Sequence, residues 1–448
     1  MSEGPRSVRI GSRRRAGHEM PRRRWSLVVG LVLGLVLPAS AALAMPGSPA
    51  AAFDDTTVRE PGHAWSIIAA DGSRLAVSSW VLSTSGDAVE ELEPVPAPRS
   101  SESPAEVPRR LAVGMGDRPD ATVRAISRIG AVPSSTGPHL VMRSGDRLPG
   151  RPDLVEGELV WRHGWLGDFA VDLDGLRSIV LAPDAPSPAA VDADVVTLAN
   201  GDRLEGFVVE LGVDVVVERI EDGSTRQVPF ERVARIDLVV DSQAGAPIRM
   251  WTRDGTSIAL DGLRGTRGDG DDDESRLVAF SRRGGVGRGR SEGVVFAREL
   301  VAVAWRPGAI EPLSTLDWTM SPHGEAMDRS WIPAPFRIDE ASPFGAATIE
   351  MTGPARFEAR VPSGSILSAS VELPPLMRRF GDLKLRILDG DRERWRRDFS
   401  AISPQATIAI PIETGRLAIE LGPGLRGPVQ DRLRFTLPML LREPASSE

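Results

Sequence analysis

Aliphatic and polar residues alternate along most of this chain, and the alternation breaks at short intervals where a glycine follows a small polar residue. In "VVTLANGDRLEGFVVELGVDVVVERIEDGSTRQVPFERVARIDLV", residues 195–239, runs rich in Val, Ile and Leu flank "NG" and "DG". Such runs predict strands, because β-branched side chains fit a pleated surface and a period of two buries one face. Gly at the break accepts the positive φ of a tight hairpin turn. The heptad "NGDRLEG", Asn200 to Gly206, then has two readings. Either Asp202 and Arg203 line a binding groove, or they are the polar residues that a turn uses for its own backbone.

The pattern recurs. "LVMRSGDRLPG" (Leu140 to Gly150) parallels "VTLANGDRLEG" (Val196 to Gly206), placing Asp146 and Arg147 where the other copy has Asp202 and Arg203. "MWTRDGTSIAL" (Met250 to Leu260) and "IIAADGSRLAV" (Ile67 to Val77) are weaker copies. A second element follows each: Val228, Phe230, Val233, Ile236 and Leu238 match Val171, Leu173, Leu176, Ile179 and Leu181 in spacing. Val123, Ile126 and Ile129 keep part of that spacing, and "VVFARELVAVAW" (Val294 to Trp305) fits with one residue inserted. Four repeats result: 58–132, carrying a Pro/Ser/Glu-rich stretch at 84–110 that reads as a disordered loop; 138–184; 193–241; and 246–306, carrying an acidic and an Arg/Gly loop. A unit of about 50 residues is small for an independent core, so tandem units are expected to pack on one another.

The order of a strand, "NGDRLEG", strongly bent strands and then "VPFERVARIDL" as a closing strand with a short helical turn resembles small SH3-like or Sm-like β-barrels, best over Pro138 to Val240. The resemblance implies shape; Sm-like rings bind RNA, a role the charge of this chain opposes.

From Phe344 the texture changes to closely spaced short strands, including "ARFEARVP", "SILSASVELP", "ATIAIPI" and "GRLAIELG", which predict a β-sandwich. The lead-in "PLSTLDW" (Pro312 to Trp318), "ARFEARVPSGS" (Ala355 to Ser365), the hairpin "DGDRERWRRDF" (Asp389 to Phe399), "IPIETGRLAIELGPG" (Ile410 to Gly424) and "GPVQDRLRFTLPML" (Gly427 to Leu440) together resemble the NPCBM-type carbohydrate-binding modules of bacterial extracytoplasmic proteins. That resemblance implies a glycan-binding sandwich over 307–448. Where the family has an Asp-His pair followed by Trp, this chain has Asp431, Arg432 and then Phe435. Trp395, Asp431 and Arg432 are therefore the candidate ligand-binding residues, against a plain reading as core aromatic, turn and surface charge. The fold class expected is mainly β: tandem barrel-like repeats followed by a jelly-roll or galactose-binding-like sandwich.

Composition locates the protein more than it specifies chemistry. "PRRRW" (Pro21 to Trp25), the apolar run Ser26 to Leu37 and the small residues ending at Ala44 have the order of a secretory signal over 1–44, followed by a linker at 45–57. The alternative is an uncleaved anchor, the one route to a membrane. One Lys against 53 Arg, with no Tyr or Cys, reflects A/T-poor codon usage and excludes disulfides and thiolate metal sites. Without residues 1–44 the chain holds 46 basic and 60 acidic residues, a net charge of −14, which argues against nucleic acid as a partner. "GDGDDDES" (Gly268 to Ser275) offers carboxylates to calcium but lacks the Gly and distal Glu of a calcium-binding loop, Phe280 standing twelfth from Asp269, so no cofactor is expected.

Five scattered His show no metal spacing, and no nucleophile elbow, Walker loop or dinucleotide fingerprint occurs. The sequence thus points to a non-catalytic, extracytoplasmic protein that binds polysaccharide or a cell-envelope component. A scaffold without sugar affinity comes second and an unrecognised hydrolase third.

Overall fold

The computed structural model describes residues 65–77, 79–84, 90–95, 111–112, 123–129, 137–186, 192–240, 246–266, 277–283, 290–322, 343–345, 348–379, 381–425 and 432–442. All belong to one compact unit, Arg59–Glu448. The N-terminal segment, the linker and the acidic stretch 268–275 lie outside the described residues.

The chain is mainly β, with barrel-like repeats followed by a sandwich. In every repeat the first strand pairs on one side with its own second strand and on the other with its own last. Trp65–Ala69 lies between Arg74–Val77 and Val123–Arg128, and His139–Met142 between Arg147–Pro149 and Leu176–Val180. Asp194–Leu198 lies between Arg203–Leu211 and Val233–Asp237, and Ile248–Thr252 between Ser257–Leu260 and Leu300–Trp305. In repeats 1, 2 and 4 a three-stranded meander follows the second strand, and in repeat 3 the second strand itself runs on as the first strand of the meander. A single 3₁₀ turn precedes the last strand in repeats 2, 3 and 4 (Leu173–Gly175, Phe230–Arg232, Ala297–Glu299).

The recurring Gly makes the same turn four times. Gly72, Gly145, Gly201 and Gly255 have φ of 80°, 76°, 88° and 87°, the left-handed region open to glycine. In repeat 3, Leu198 N–H donates to the Asp202 carbonyl at 2.8 Å and Gly201 N–H to the Leu198 carbonyl at 2.9 Å, closing a three-residue loop. The second glycine of the heptad has a different cause. A side chain at Gly206 would meet the Glu218 carbonyl and one at Gly150 the Arg162 carbonyl, where the second strand bends onto the meander.

The repeats share their edges. The last strands of repeats 2 and 3 pair, with Ile179 opposite Ile236, and those of repeats 1 and 4 pair, with Ile126 opposite Val303. The second strands of repeats 2 and 4 meet at Arg147 and Ser257. One fourteen-stranded sheet results, in the order repeat 3, 2, 4, 1. Its core holds the centre of each last strand: Ile126, Ile179, Ile236 and Val303 are all fully buried. Ile129 is 51% exposed, so the spacing read in repeat 1 ends at Ile126, whose partner is Ile67.

Two further expectations are corrected. Glu90–Val95, inside the stretch expected to be a disordered loop, is a strand paired with Ser79–Thr84; a waiting ladder partner overrides the poor strand propensity of Glu and Pro. Ser281–Arg283 and Arg290, the ends of the Arg/Gly tract, belong to a paired hairpin.

The sandwich stacks two five-stranded sheets. One holds Ile310–Pro312, Thr348–Thr352, Ser365–Glu372, Gln405–Ile412 and Arg432–Leu441; the other holds Trp318–Pro322, Ala355–Arg360, Leu383–Asp389, Arg392–Phe399 and Arg416–Pro423. Gln405–Ile412 alternates exposed and buried without exception, with Ala406, Ile408, Ile410 and Ile412 in the core. The sandwich docks on repeats 1 and 4: Ile68, Ala125, Trp251, Val301 and Ala304 pack with Phe344, Leu437, Met439 and Leu441. The Trp251 and Phe344 rings lie 4.9 Å apart.

Candidate functional site

The heptad resolves into two cases. In repeat 3, Asp202 and Arg203 are exposed, and Asn200 and Asp202 hydrogen-bond each other within the turn at 2.7 Å. In repeat 2 the same residues are buried, Asp146 at 0% exposure and Arg147 at 7%. Asp146 accepts from Ala259 N–H at 2.8 Å, and Arg147 donates to the Gly255 carbonyl at 2.8 Å. Arg249 donates in return to the Ser144 and Gly145 carbonyls at 2.7 and 2.8 Å. These groups hold repeat 2 to repeat 4, and the groove-lining reading of Asp146 and Arg147 falls because both are spent on that joint.

Two of the five His, His139 and His163, lie among the described residues, and both are buried. His163 Nε2 lies 2.9 Å from Thr256 Oγ1, a spacing that invites a base–nucleophile reading. However, His163 Nδ1 accepts from the Trp165 and Leu166 N–H groups at 3.3 and 3.1 Å. The neutral ring therefore carries its proton on Nε2 and donates to Thr256, leaving no base aimed at that hydroxyl.

A groove of about 680 Å³ opens at one end of the sandwich, lined by Glu311, Asp317, Glu358, Arg360 and Arg416 among others. Adjacent strands bring the two arginines together, since Arg360 faces Arg416 directly across the ladder. Like charges in that position repel. Two of the three groove carboxylates are engaged elsewhere: Glu311 is paired with Arg442, and Glu358 accepts from Arg356 Nε at 2.6 Å, while Asp317 is exposed. Among the described residues the Arg360 and Arg416 guanidiniums have no ion-pair or hydrogen-bond partner, and both residues are exposed. Thr315 and Thr319 add hydroxyls to the wall.

The rim is braced by Asp389, whose side chain is fully buried beside Gly390. It accepts from Thr414 Oγ1 at 2.5 Å, Arg394 Nη2 at 2.8 Å, and the Thr414 and Glu413 N–H groups at 2.9 and 3.0 Å. Burial pushes its pKa up, but the Thr414 hydroxyl, Arg394 and the two backbone donors outweigh it and hold the carboxyl well below the usual carboxylate range.

The residues singled out from sequence are elsewhere. Trp395 is half-buried against the sandwich core, opposite Ile387. Arg432 lies on the other sheet, its Nη1 3.3 Å from Glu350. Asp431 lies outside the described residues. Neither Trp395 nor Arg432 lines the groove. Asp317 sits within the "PLSTLDW" lead-in, Arg360 within "ARFEARVPSGS", Gly390 within "DGDRERWRRDF" and Arg416 within "IPIETGRLAIELGPG", so segments that carry the resemblance line the groove although none of these residues was singled out.

No family model matches the chain, and no curated protein matches it. Among solved structures it is similar to the CBM51 of Clostridium perfringens GH95 in complex with methyl-galactose, at 12% identity and a TM-score of 0.23, covering 29% of this chain and 99% of that one. It is also similar to the tandem CBM51 modules of Sp3GH98, a family 98 glycoside hydrolase of Streptococcus pneumoniae, at 12% identity and a TM-score of 0.24 over 68% of this chain and 88% of that one. A third neighbour, the CBM51-2 and INT domains of Clostridium perfringens ZmpB in complex with GlcNAc, shows 14% identity and a TM-score of 0.24 over 46% of this chain and 45% of that one, so the chain spans under half of its length.

Proposed function

We propose that this is an extracytoplasmic, non-catalytic protein whose sandwich groove binds an acidic glycan or cell-envelope polymer, with the repeats, read as small SH3-like or Sm-like barrels, serving as its mount. The observation that carries the reading is Arg360 facing Arg416 across one ladder without an anionic partner among the described residues. A ligand carboxylate between them removes the repulsion and accepts from two guanidiniums, each a planar, strong donor. Asp317, Thr315 and Thr319 suit the hydroxyls of a sugar ring.

The test is a polysaccharide panel offered to the full chain, with methyl-galactose and GlcNAc as neutral members and a uronate polymer as the acidic one. The acidic polymer is expected to bind best, and Arg416→Ala to weaken it at least about tenfold, a loss of roughly 1.4 kcal/mol. Binding to no polysaccharide, or equal binding by Arg416→Ala, overturns the proposal. Trp395, Asp431 and Arg432, the positions the family resemblance singles out, are the alternative contacts, and Arg432→Ala tests the one on the opposite sheet. A scaffold without sugar affinity remains the second reading. It is favoured by the exposed large apolar side chains of the sandwich, Met320, Leu376, Ile402 and Leu425, none of which is aromatic among the described residues.

A further inference from the structure

The glycine turn of each repeat is a docking element in three cases and open in the fourth. In repeat 1 the Gly72 carbonyl accepts from Ser368 Oγ of the sandwich at 2.7 Å, and Arg74, two residues on, donates to the Leu437 carbonyl at 2.6 Å. In repeats 2 and 4 the turns lock each other, through Arg147 on the Gly255 carbonyl and Arg249 on the Gly145 carbonyl. Repeat 3 carries the same Gly201, Asp202 and Arg203, and all three are exposed. Arg203 has no hydrogen-bond or ion-pair partner among the described residues. The same face of its strand continues through Glu205, Phe207 and Val209, with Phe207 50% and Val209 49% exposed.

We propose that a second copy of this chain covers this face, the two repeat-3 turns meeting about a twofold axis as the turns of repeats 2 and 4 meet within one chain. Repeat 3 holds both halves of that joint. The existing joint needs an Arg reaching a turn carbonyl and a turn Asp accepting from a strand N–H, the roles of Arg147 and of Asp146 on Ala259. Arg203 and Asp202 occupy the positions of Arg147 and Asp146, and Glu205 occupies that of Ala259. Across a twofold axis Arg203 donates to the partner subunit's Gly201, Asp202 accepts from the partner subunit's Glu205, and both bonds repeat by symmetry. The Glu205 carboxylate lies diagonal to the partner subunit's Arg203, which offsets the repulsion of two arginines brought face to face. Phe207 and Val209 extend the contact with apolar surface that a monomer leaves in water.

Sedimentation equilibrium of the full chain tests this. A dimer is expected, and Arg203→Glu is expected to raise its dissociation constant at least about tenfold. Far-ultraviolet circular dichroism should stay unchanged, because Arg203 is exposed. Arg396→Glu, on the outer strand of the sandwich, is the control and should leave the dimer as it is. A chain that stays monomeric at about 100 μM leaves the face to some other partner and overturns the proposal. So does a dimer that survives Arg203→Glu, or one that Arg396→Glu weakens equally.

Discussion

Ile236→Ala probes the joint between repeats 2 and 3. Ile236 is fully buried at the centre of the last strand of repeat 3, opposite Val196 of its own repeat and Ile179 of the neighbour. The substitution removes about three carbons at ~0.8 kcal/mol each, and a partly collapsed cavity adds ~1 kcal/mol, giving ~3.5 kcal/mol. Ile179→Ala should cost a similar amount. Because the two side chains share one site across the joint, the double variant should cost ~1 kcal/mol less than the sum. Urea denaturation followed by tryptophan fluorescence measures all three, with the buried Trp161 of repeat 2 among the reporters. Arg203→Ala, in the exposed turn, should stay within ~0.5 kcal/mol of the parent at dilutions where the chain is monomeric. A cost below ~1 kcal/mol for Ile236→Ala, or strict additivity of the pair, would refute a shared core at this joint.

Three further outcomes follow from the same structure. Gly206→Ala should lower the melting temperature by several degrees, since its methyl group would be driven into the Glu218 carbonyl, and calorimetry reads the shift. Burial, together with the nearby Arg147, lowers His139 to about 4. The unfolded chain, with its His near 6.5, then takes up the proton first, so stability is full above about pH 6.5 and falls by ~3 kcal/mol as the pH drops to about 4. His139→Gln should flatten that slope in denaturation series at several pH values. The depressed Asp389 acts lower on the scale, its contribution complete above about pH 4 and lost below it. Asp389→Ala should cost ~3 kcal/mol at neutral pH by leaving two backbone donors and the Thr414 hydroxyl without their acceptor and Arg394 with Glu413 alone, and it should also loosen the groove rim, read as weaker polysaccharide binding.

Much of the local architecture is written in the sequence. Turn glycines at 72, 145, 201 and 255, the apolar register that places Val196 against Ile236, and the alternation of Gln405–Ile412 all follow from side-chain period and backbone sterics. The associations between segments do not. Asp146–Arg147 and Asp202–Arg203 are identical locally, yet one pair is buried and the other open, because only the strand arriving from repeat 4 separates the cases. Glu90–Val95 becomes a strand through its ladder partner rather than its own composition. The groove is equally non-local: Glu311 with Asp317, Arg360, and Arg416 come from three separate segments, and no spacing joins these before the sheet forms. Trp395 and Arg432 drew notice through family resemblance, and the fold puts them on different sheets.

The account rests on the barrel-like repeats sharing one continuous sheet rather than standing as four separate units. Three amides report on it: Leu181, which donates to the Ala234 carbonyl at 2.9 Å, Leu238, which donates to the Arg177 carbonyl at 2.8 Å, and Ala259, bound to Asp146. Each bond crosses from one repeat to another. Residue-resolved hydrogen–deuterium exchange should find these amides as slow as that of Val196 inside repeat 3. Exchange at the rate of the open turn at Asn200 would contradict the shared sheet.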